Sequence, residues 1–378
     1  METSSGSLTA LVCQYTCDKS KFYSCSSTTL SIIPNLQTNT VNILRRESDI
    51  FWISAIRIQN KYDILSLKTL DIIFLEKNAI EVQNNILTQD TMQQRVCKAD
   101  STLKISFSLI RKLALIEFDE QYTTIYIPSD LFFKDFLNLN YGTRVFPLLA
   151  TSKYDTGINI ESDCDMCYDI IGKYTYLDTD PRRNLAQKEI GFFTNIISEK
   201  EIKQCSDIQI IDMPRYGVMT GFFIDTEQLP TYLEININNH PYWKYDKYTI
   251  KRISQKLCSS DHSKYKQCVD KITKKLGLDA YTINDICKFI PQSRKCLYWI
   301  PIEYQKKWNE PPNNKSIINL TRLDKSQIKI NSSRDGTIYF MCNILLHINK
   351  GNVYFRLHEA SHETFCVDTT QLDPEASV

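Results

Sequence analysis

The stretch Tyr174-Thr-Tyr-Leu-Asp-Thr-Asp-Pro-Arg-Arg-Asn-Leu-Ala-Gln187 lies close to the midpoint of a 378-residue chain. Residues 174–177 suit a pleated strand, because aromatic side chains pack well on the surface of a sheet. Residues 178–180 can cap a turn, and the fixed φ of Pro181 suits the first position of a helix. The stretch therefore predicts a junction at which a strand ends and a short helix begins.

Apolar residues alternate with polar ones wherever the rest of the chain shows a clear pattern, which is typical of strands with one buried side. The three clearest faces are Leu103, Ile105, Phe107 and Leu109; Leu233, Ile235 and Ile237; and Ile338, Phe340, Cys342, Ile344, Leu346 and Ile348. A turn signal at Asn349-Lys-Gly-Asn352 follows the longest face, so residues 337–357 are predicted to form a hairpin. Short strands with such punctuation favour antiparallel sandwiches over βαβ units.

Residues 263–290 differ from this pattern, because their apolar residues recur at helical spacing. Tyr265, Cys268, Val269, Ile272 and Leu276 share one stripe, and Gly277 can end the helix. We predict two short helices, inserted between strands of the second half of the chain. Such an insertion either projects from one end of a sandwich or only covers an open end of a sheet.

Composition excludes several classes of protein. Hydrophobic residues make up 42% of the chain and charged residues 24%, which is too apolar for a disordered protein. Lys plus Arg number 45 against 44 Asp plus Glu, so no global field attracts nucleic acid. No window has the ~18 apolar residues of a spanning helix, and the amino terminus lacks the features of a signal peptide. We expect a soluble protein made in the cytosol, without direct binding to nucleic acid.

Two motifs raise the possibility of metal chemistry. The segment His358-Glu359-Ala360-Ser361-His362 fits the H-E-x-x-H pattern of zinc peptidases. It directly follows a predicted strand, however, and its neighbours favour extended structure. Cys164-Asp-Met-Cys167 has the spacing of half a zinc site, but the sequence offers no second pair of ligands where such a site needs one. We predict no metal and no catalytic residue, with a zinc peptidase kept as the enzymatic alternative.

The remaining features favour a structural role. No phosphate-binding glycine loop occurs, so no cofactor is expected. The thirteen cysteines are an odd number and fit free thiols in a reducing compartment. Four aromatic residues follow the predicted turn at residues 238–240, and they favour core or interface packing over stacking on a sugar: Tyr242, Trp243, Tyr245 and Tyr248. A carbohydrate-binding sandwich stays open as a further alternative.

The central stretch resembles the mid-chain junction of the major capsid proteins of nucleocytoplasmic large DNA viruses. In that family a strand, an L-D-T-D-x-R-R run and an A-Q pair open the second of two jelly rolls. The matching residues are Leu177, Asp178, Thr179, Asp180, Arg182, Arg183, Ala186 and Gln187. Segments at residues 125–154, 233–240, 297–324 and 343–351 resemble family motifs in the same order. Their motif positions include Pro147, Asn239, His240, Arg322, Asp324 and Gly351.

The resemblance implies an all-β chain of two consecutive eight-stranded antiparallel jelly rolls, with the helical insertion in the second. The implied organisation is an arm at residues 1–38, jelly rolls at 39–165 and 166–358, and a tail at 359–378. It also implies a homotrimer that forms pseudo-hexameric capsomers of an icosahedral virion shell. The implied partners are minor capsid or cement proteins and, indirectly, an inner membrane, with assembly in the host cytoplasm.

Some positions depart from the family pattern. Asp155 stands where the family usually has His, and residues 307–315 replace a shorter turn. These departures concern the geometry of the capsomer and its contacts. They leave two structural alternatives open, a poxvirus-type scaffold of immature virions and a minor capsid paralogue.

Overall fold

The computed structural model describes fifteen stretches of the chain, and every strand and helix named below lies within them. They are residues 25–43, 50–59, 64, 66–76, 102–118, 121–133, 148–151, 154–187, 190–205, 207–258, 296–302, 307–309, 318–323, 325–349 and 352–356. The helices predicted over residues 263–290 lie outside the described residues.

Nine strands form a first sandwich. They are β1 (Cys25–Gln37), β2 (Asn42–Ile43), β3 (Ile50–Ile58), β4 (Leu67–Glu76), β5 (Thr102–Ser106), β6 (Leu115–Phe118), β7 (Thr123–Tyr126), β8 (Tyr154–Ser162) and β9 (Cys167–Leu177). One sheet has the order β1-β9-β3-β7-β6, and the other has the order β2-β8-β4-β5. Every pairing in both sheets is antiparallel. The five-stranded sheet is named sheet A.

Eleven further strands form a second sandwich. They are β10 (Ile190–Ile202), β11 (Gln209–Asp212), β12 (Val218–Thr226), β13 (Tyr232–Ile237), β14 (His240–Asp246), β15 (Gln255–Cys258), β16 (Cys296–Pro301), β17 (Ile318–Asn319), β18 (Ser326–Asn331), β19 (Gly336–Asn349) and β20 (Asn352–Arg356). The larger sheet, which we call sheet C, follows β10-β19-β12-β16-β15, with β17 beside β12 and β20 beside β19. The smaller sheet follows β11-β18-β13-β14.

The two sandwiches share one plan. Strand β10 corresponds to β1, and the strands that follow each of them correspond in chain order. The larger sheets, β1-β9-β3-β7-β6 and β10-β19-β12-β16-β15, have the same strand order, and so do the smaller sheets. Two sheets that alternate in this way along the chain define a jelly roll. The described residues thus contain nine equivalent strands in each sandwich, against the eight predicted, because β6 and β15 add an edge to the shared plan.

Three helices accompany the strands within the described residues. They are α1 (Phe107–Leu113), α2 (Thr179–Gln187) and α3 (Lys247–Ile253). Helix α1 follows β5 and α3 follows the equivalent strand β14, whereas α2 joins the two sandwiches. Single 3₁₀ turns occur at Ser129–Leu131, Leu148–Ala150 and Leu320–Arg322. The predicted strand-to-helix junction is confirmed at α2.

The prediction of one continuous strand face from Leu103 to Leu109 was wrong in its second half. The strand ends at Ser106, whose side-chain oxygen accepts a hydrogen bond from the Ser108 N–H at 3.2 Å and so caps α1. A capped helix satisfies backbone donors that would otherwise lack partners at this end. All four apolar residues are still buried, because the helix turns Phe107 and Leu109 towards the same core.

The predicted domain limits also need correction. Residues 25–37 were assigned to an arm, yet they form strand β1, which pairs along β9 at the edge of sheet A. Strand β9 was assigned to the second jelly roll, but it lies between β1 and β3 in the first. The junction therefore falls after Leu177. Polar side chains and Pro34 hide β1 in the sequence, since an edge strand tolerates both.

The predicted hairpin at the end of the chain is confirmed. Strand β19 pairs with β20 from Leu345↔Arg356 to Asn349↔Asn352. Ile338, Phe340 and Cys342 line the core of the second sandwich. Ile344, Leu346 and Ile348 belong to a larger apolar cluster, which also contains the core of the first sandwich. The long alternating face thus contributes to two cores, because β19 is fourteen residues long.

Asp71 on β4 provides a test of buried charge in the first sandwich. It is 5% exposed, and burial raises the pKa of its carboxyl to about 6, with Lys104 opposing the shift and Glu161 adding to it. A carboxyl whose pKa rises on folding stabilises the protein only while it is protonated. This stabilisation is complete below about pH 4 and is lost as the pH rises through about 6.

We therefore expect Asp71→Asn to raise the free energy of unfolding at pH 7.5 by about 1–2 kcal/mol. Urea unfolding at pH 7.5 and at pH 4 measures this effect, which should vanish at the lower pH. The exposed Asp207→Asn serves as the control and should change neither value. If Asp71→Asn had a lower free energy of unfolding than the native chain at pH 7.5, the ionised carboxylate of Asp71 would have to be well paired in the folded protein.

Candidate assembly interface

A seam of apolar side chains joins the two sandwiches. Tyr339, Phe223 and Trp299 lie side by side on neighbouring strands of sheet C. They point away from the core of the second sandwich and belong to the apolar cluster of the first. Trp299 is fully buried, and the centroids of its ring and that of Phe223 are 4.9 Å apart. Burial of this row gives the seam the character of a domain core.

Helix α1 of the first sandwich lies across this row. Ile110 is fully buried and anchors the helix to its own sandwich. The Ser108 and Tyr339 hydroxyls are hydrogen-bonded at 2.8 Å, and burial raises the pKa of Tyr339 well above its usual range, so this phenol stays neutral. Lys112 Nζ donates to Asp225 Oδ1 at 3.0 Å, and each of the two side chains is only 11% exposed. A charged pair this well buried fixes the register between the sandwiches.

A second polar link lies where β10 passes the turn at Ser129–Leu131. The fully buried Asn195 donates from Nδ2 to the carbonyl oxygens of Asp130 and Leu131, at 2.8 and 2.9 Å. Its backbone N–H donates to the Phe132 carbonyl at 2.8 Å. One side chain thus satisfies two carbonyl groups of the other sandwich. Because unpaired buried carbonyls are costly, this residue holds the two sandwiches in one arrangement.

Replacement of Asn195 by alanine is expected to lower the free energy of unfolding by about 2–3 kcal/mol, because two carbonyls at the seam, one buried and one half-buried, lose their donor. Glu201→Ala on the same strand is the matched control, since Glu201 is exposed. Chemical denaturation of both variants measures the difference. If Asn195→Ala were as stable as Glu201→Ala, water or another donor would have to replace the amide of Asn195.

The residues of the central motif form the surface of the junction. Leu177 ends β9 and is buried with the first core, at 6% exposure. Helix α2 begins at Thr179, so Pro181 is its third residue and not its first as predicted; a proline without an N–H is tolerated anywhere in that turn. The other motif residues are all exposed: Asp178, Thr179, Asp180, Arg182, Arg183, Ala186 and Gln187. They lie on the surface of the junction.

Other motif segments meet the junction or mark turns. Helix α2 lies against the 3₁₀ turn Leu148–Ala150, so two of the segments are neighbours in space. Asn238 and Asn239 form the β13–β14 turn with φ values of 49° and 67°, and His240 is exposed beside them. Arg322 ends the 3₁₀ turn that follows β17. Pro147, Asp324 and Gly351 lie outside the described residues.

The structure separates the four aromatic residues near that turn. Trp243 and Tyr245 pack against the core of the second sandwich. Tyr242 and Tyr248 are 63% and 81% exposed. The prediction of core and interface packing fits the first pair, and the second pair is available for contacts with another molecule.

The metal motifs gain no support from the described residues. Cys164 lies in the turn between β8 and β9, Cys167 is the first residue of β9, and both are exposed. Within the described ranges no group of three or more His, Cys, Asp or Glu side chains could hold a metal ion. The segment from His358 to His362 lies outside those ranges. None of the helices in the described part of the chain combines the length and the apolar character needed to cross a membrane.

Comparison with known proteins identifies the fold. No protein-family model matches the chain, and no curated protein sequence matches it. The PBCV-1 protein VP54, whose crystal structure was fitted into a reconstruction of the virophage Sputnik, is similar with a TM-score of 0.52 and 10% identity over 89% of this chain and 97% of that chain. At this identity the likeness concerns the fold, and it confirms the predicted double jelly roll of capsid proteins.

Two further solved structures match with lower scores. A quasi-atomic model of the PBCV-1 virus capsid has a TM-score of 0.49 and 11% identity, over 89% of this chain and 97% of that chain. The major capsid protein P2 from bacteriophage PM2 has a TM-score of 0.39 and 9% identity, over 87% of this chain and 99% of that chain.

Proposed function

We propose that this chain is a major capsid protein, the repeated structural subunit of an icosahedral virion shell. The observation that carries the proposal is the double jelly roll itself. Two sandwiches of one plan, joined by a buried seam, give a single polypeptide two similar building blocks in one fixed arrangement. The likeness in fold to VP54 supports this role. The motif resemblance supports it independently, because sequence motifs and backbone topology are separate observations.

Three copies of such a chain form a capsomer with six similar sandwiches around a common axis. A closed ring of this kind leaves no unmatched contact surface to add further copies within the capsomer, and it tiles a surface efficiently. The net charge of +1 suits dense packing of many copies, since the subunits do not repel each other strongly. We expect each interface between subunits to bury more than ~2,000 Å², as permanent assemblies do.

The role places the protein in the virion, after assembly in the host cytoplasm. Minor capsid or cement proteins would bind between capsomers, and an inner membrane would lie beneath the shell without being crossed by this chain. Neither direct binding to nucleic acid nor catalysis is part of the proposal. The exposed motif residues of α2 are candidates for contacts with these partners.

Light scattering after size-exclusion chromatography tests the proposal. The expected mass is three times the 44.0 kDa of the chain, about 132 kDa. A stable monomer at micromolar concentration would count against a capsid role. Electron microscopy of intact particles then separates a shell protein from a scaffold, since only the shell protein forms a regular outer lattice on mature particles.

A further inference from the structure

The two sandwiches carry equivalent helices with matching residues. Helices α1 and α3 both start directly after equivalent strands, β5 and β14, and both are seven residues long. Ser106 caps the first and Asp246 the second, the latter by accepting from the Thr249 N–H at 2.8 Å. Ile110 and Ile250 occupy the same position in each helix, and both are fully buried. Each helix is thus anchored to its own sandwich in the same way.

The outward sides of these helices differ in their surroundings. In α1, Ser108 and Lys112 reach across the seam to sheet C. The equivalent residues of α3 are Tyr248 and Arg252, and both are exposed, Tyr248 to 81%. A tyrosine combines a large apolar ring with a polar hydroxyl, which makes it a favoured residue at interfaces. Helix α3 thus has an exposed side at Tyr248, at the position equivalent to the one through which α1 meets sheet C.

The face that would receive such a helix is present on sheet A. The register places five residues in one row across its outer side: Ile32, Ile171, Ala55, Tyr126 and Leu115. Ala55, in the middle of the row, is fully buried, and Ile171 is half-buried. Ile32 is 48% exposed, Tyr126 38% and Leu115 62%. The outer face of sheet C, its equivalent in the second sandwich, is covered by α1. Large apolar side chains exposed on both sides of Ala55 in one row mark a candidate binding surface.

We propose that α3 of one copy docks on the outer face of sheet A of a second copy, and so repeats between chains the seam that exists within the chain. This inference rests on the proposed function, because it names the surfaces that join the three subunits. The two surfaces are different parts of the chain, so the contact is head-to-tail. A head-to-tail contact forms a closed ring when the rotation between copies closes, as three copies with six sandwiches require.

Three single variants of the full chain test the contact: Ile32→Lys and Leu115→Lys on sheet A, and Tyr248→Glu on α3. The three side chains are exposed in the isolated chain, so the fold and the melting temperature should be unchanged. Each variant should weaken the trimer at least tenfold in sedimentation velocity, because a charge is placed in an apolar contact. Ile210→Lys is the matched control, since Ile210 is 56% exposed but lies on the smaller sheet of the second sandwich.

The outcomes separate this inference from the proposed function. Loss of the trimer in the three variants, with a normal trimer in Ile210→Lys, supports the contact. Trimers of undiminished stability in all four variants would overturn the contact and leave the capsid role standing. Equal loss in the control would also overturn it, because the effect would then not depend on these surfaces. A monomeric native chain would overturn both.

Discussion

Replacement of Trp299 by alanine is expected to lower the free energy of unfolding by about 3–5 kcal/mol, the range for a fully buried large aromatic side chain. The ring is fully buried in the seam, where it contacts Phe223 and the apolar cluster of the first sandwich. The cavity that this substitution leaves in the seam cannot close easily, because rigid strands border it. A β-carbon added to Gly221 would lie 2.6 Å from the Ile300 carbonyl oxygen and would also clash with the Trp299 ring, so the indole is closely enclosed.

Trp243→Ala provides a matched control for this variant. Trp243 is only half-buried, on β14 at the edge of the smaller sheet, so the same chemical change removes less buried surface. Urea unfolding, followed by circular dichroism, compares the two variants. If Trp299→Ala destabilised the chain no more than Trp243→Ala, the seam would not be a cooperative core.

Lys112→Met is the second large-effect prediction. The substitution preserves the length of the side chain but leaves the Asp225 carboxylate buried in the seam without its partner. Breaking one half of a buried pair costs about 3–5 kcal/mol, because the remaining charge is desolvated and unpaired. The free energy of unfolding should fall by that amount at pH 7.

A double substitution distinguishes the loss of the buried ion pair from the loss of the lysine side chain alone. Lys112→Met combined with Asp225→Leu removes both charges and should recover most of the lost stability. Lys68→Met is the control, since Lys68 forms an exposed pair with Asp163, and it should leave the unfolding midpoint unchanged. If the double variant were no more stable than Lys112→Met alone, the buried pair would not be what links the sandwiches.

Local patterns in the sequence predicted the fold class because the signals in question are short in range. The alternation along β19, the turn at Asn349 to Asn352 and the strand-to-helix junction at α2 each depend on neighbouring residues. Strand β1 was missed since its polar side chains and Pro34 obscure the alternation. Helix α1 was missed because Leu103 to Leu109 fits a strand as well as a strand followed by a helix. Ser106, followed by Arg111 and Lys112 in the last turn, was the available signal.

The seam could not be predicted from the sequence. Lys112 and Asp225 are 113 residues apart, and Ser108 and Tyr339 are 231 apart. Only the sheet order brings these residues together, and no local pattern encodes a contact at such separation. The repeat of the plan was also hidden, although Ile110-Arg-Lys-Leu113 and Ile250-Lys-Arg-Ile253 are similar. Four residues are too few to identify a repeat before the topology is known.

A low-resolution electron microscopy map of the purified native oligomer tests the central claim most directly. The account predicts a particle with threefold symmetry and six lobes, one for each sandwich of three chains. A map that shows two separate lobes for a single chain, or a closed assembly without threefold symmetry, would contradict it.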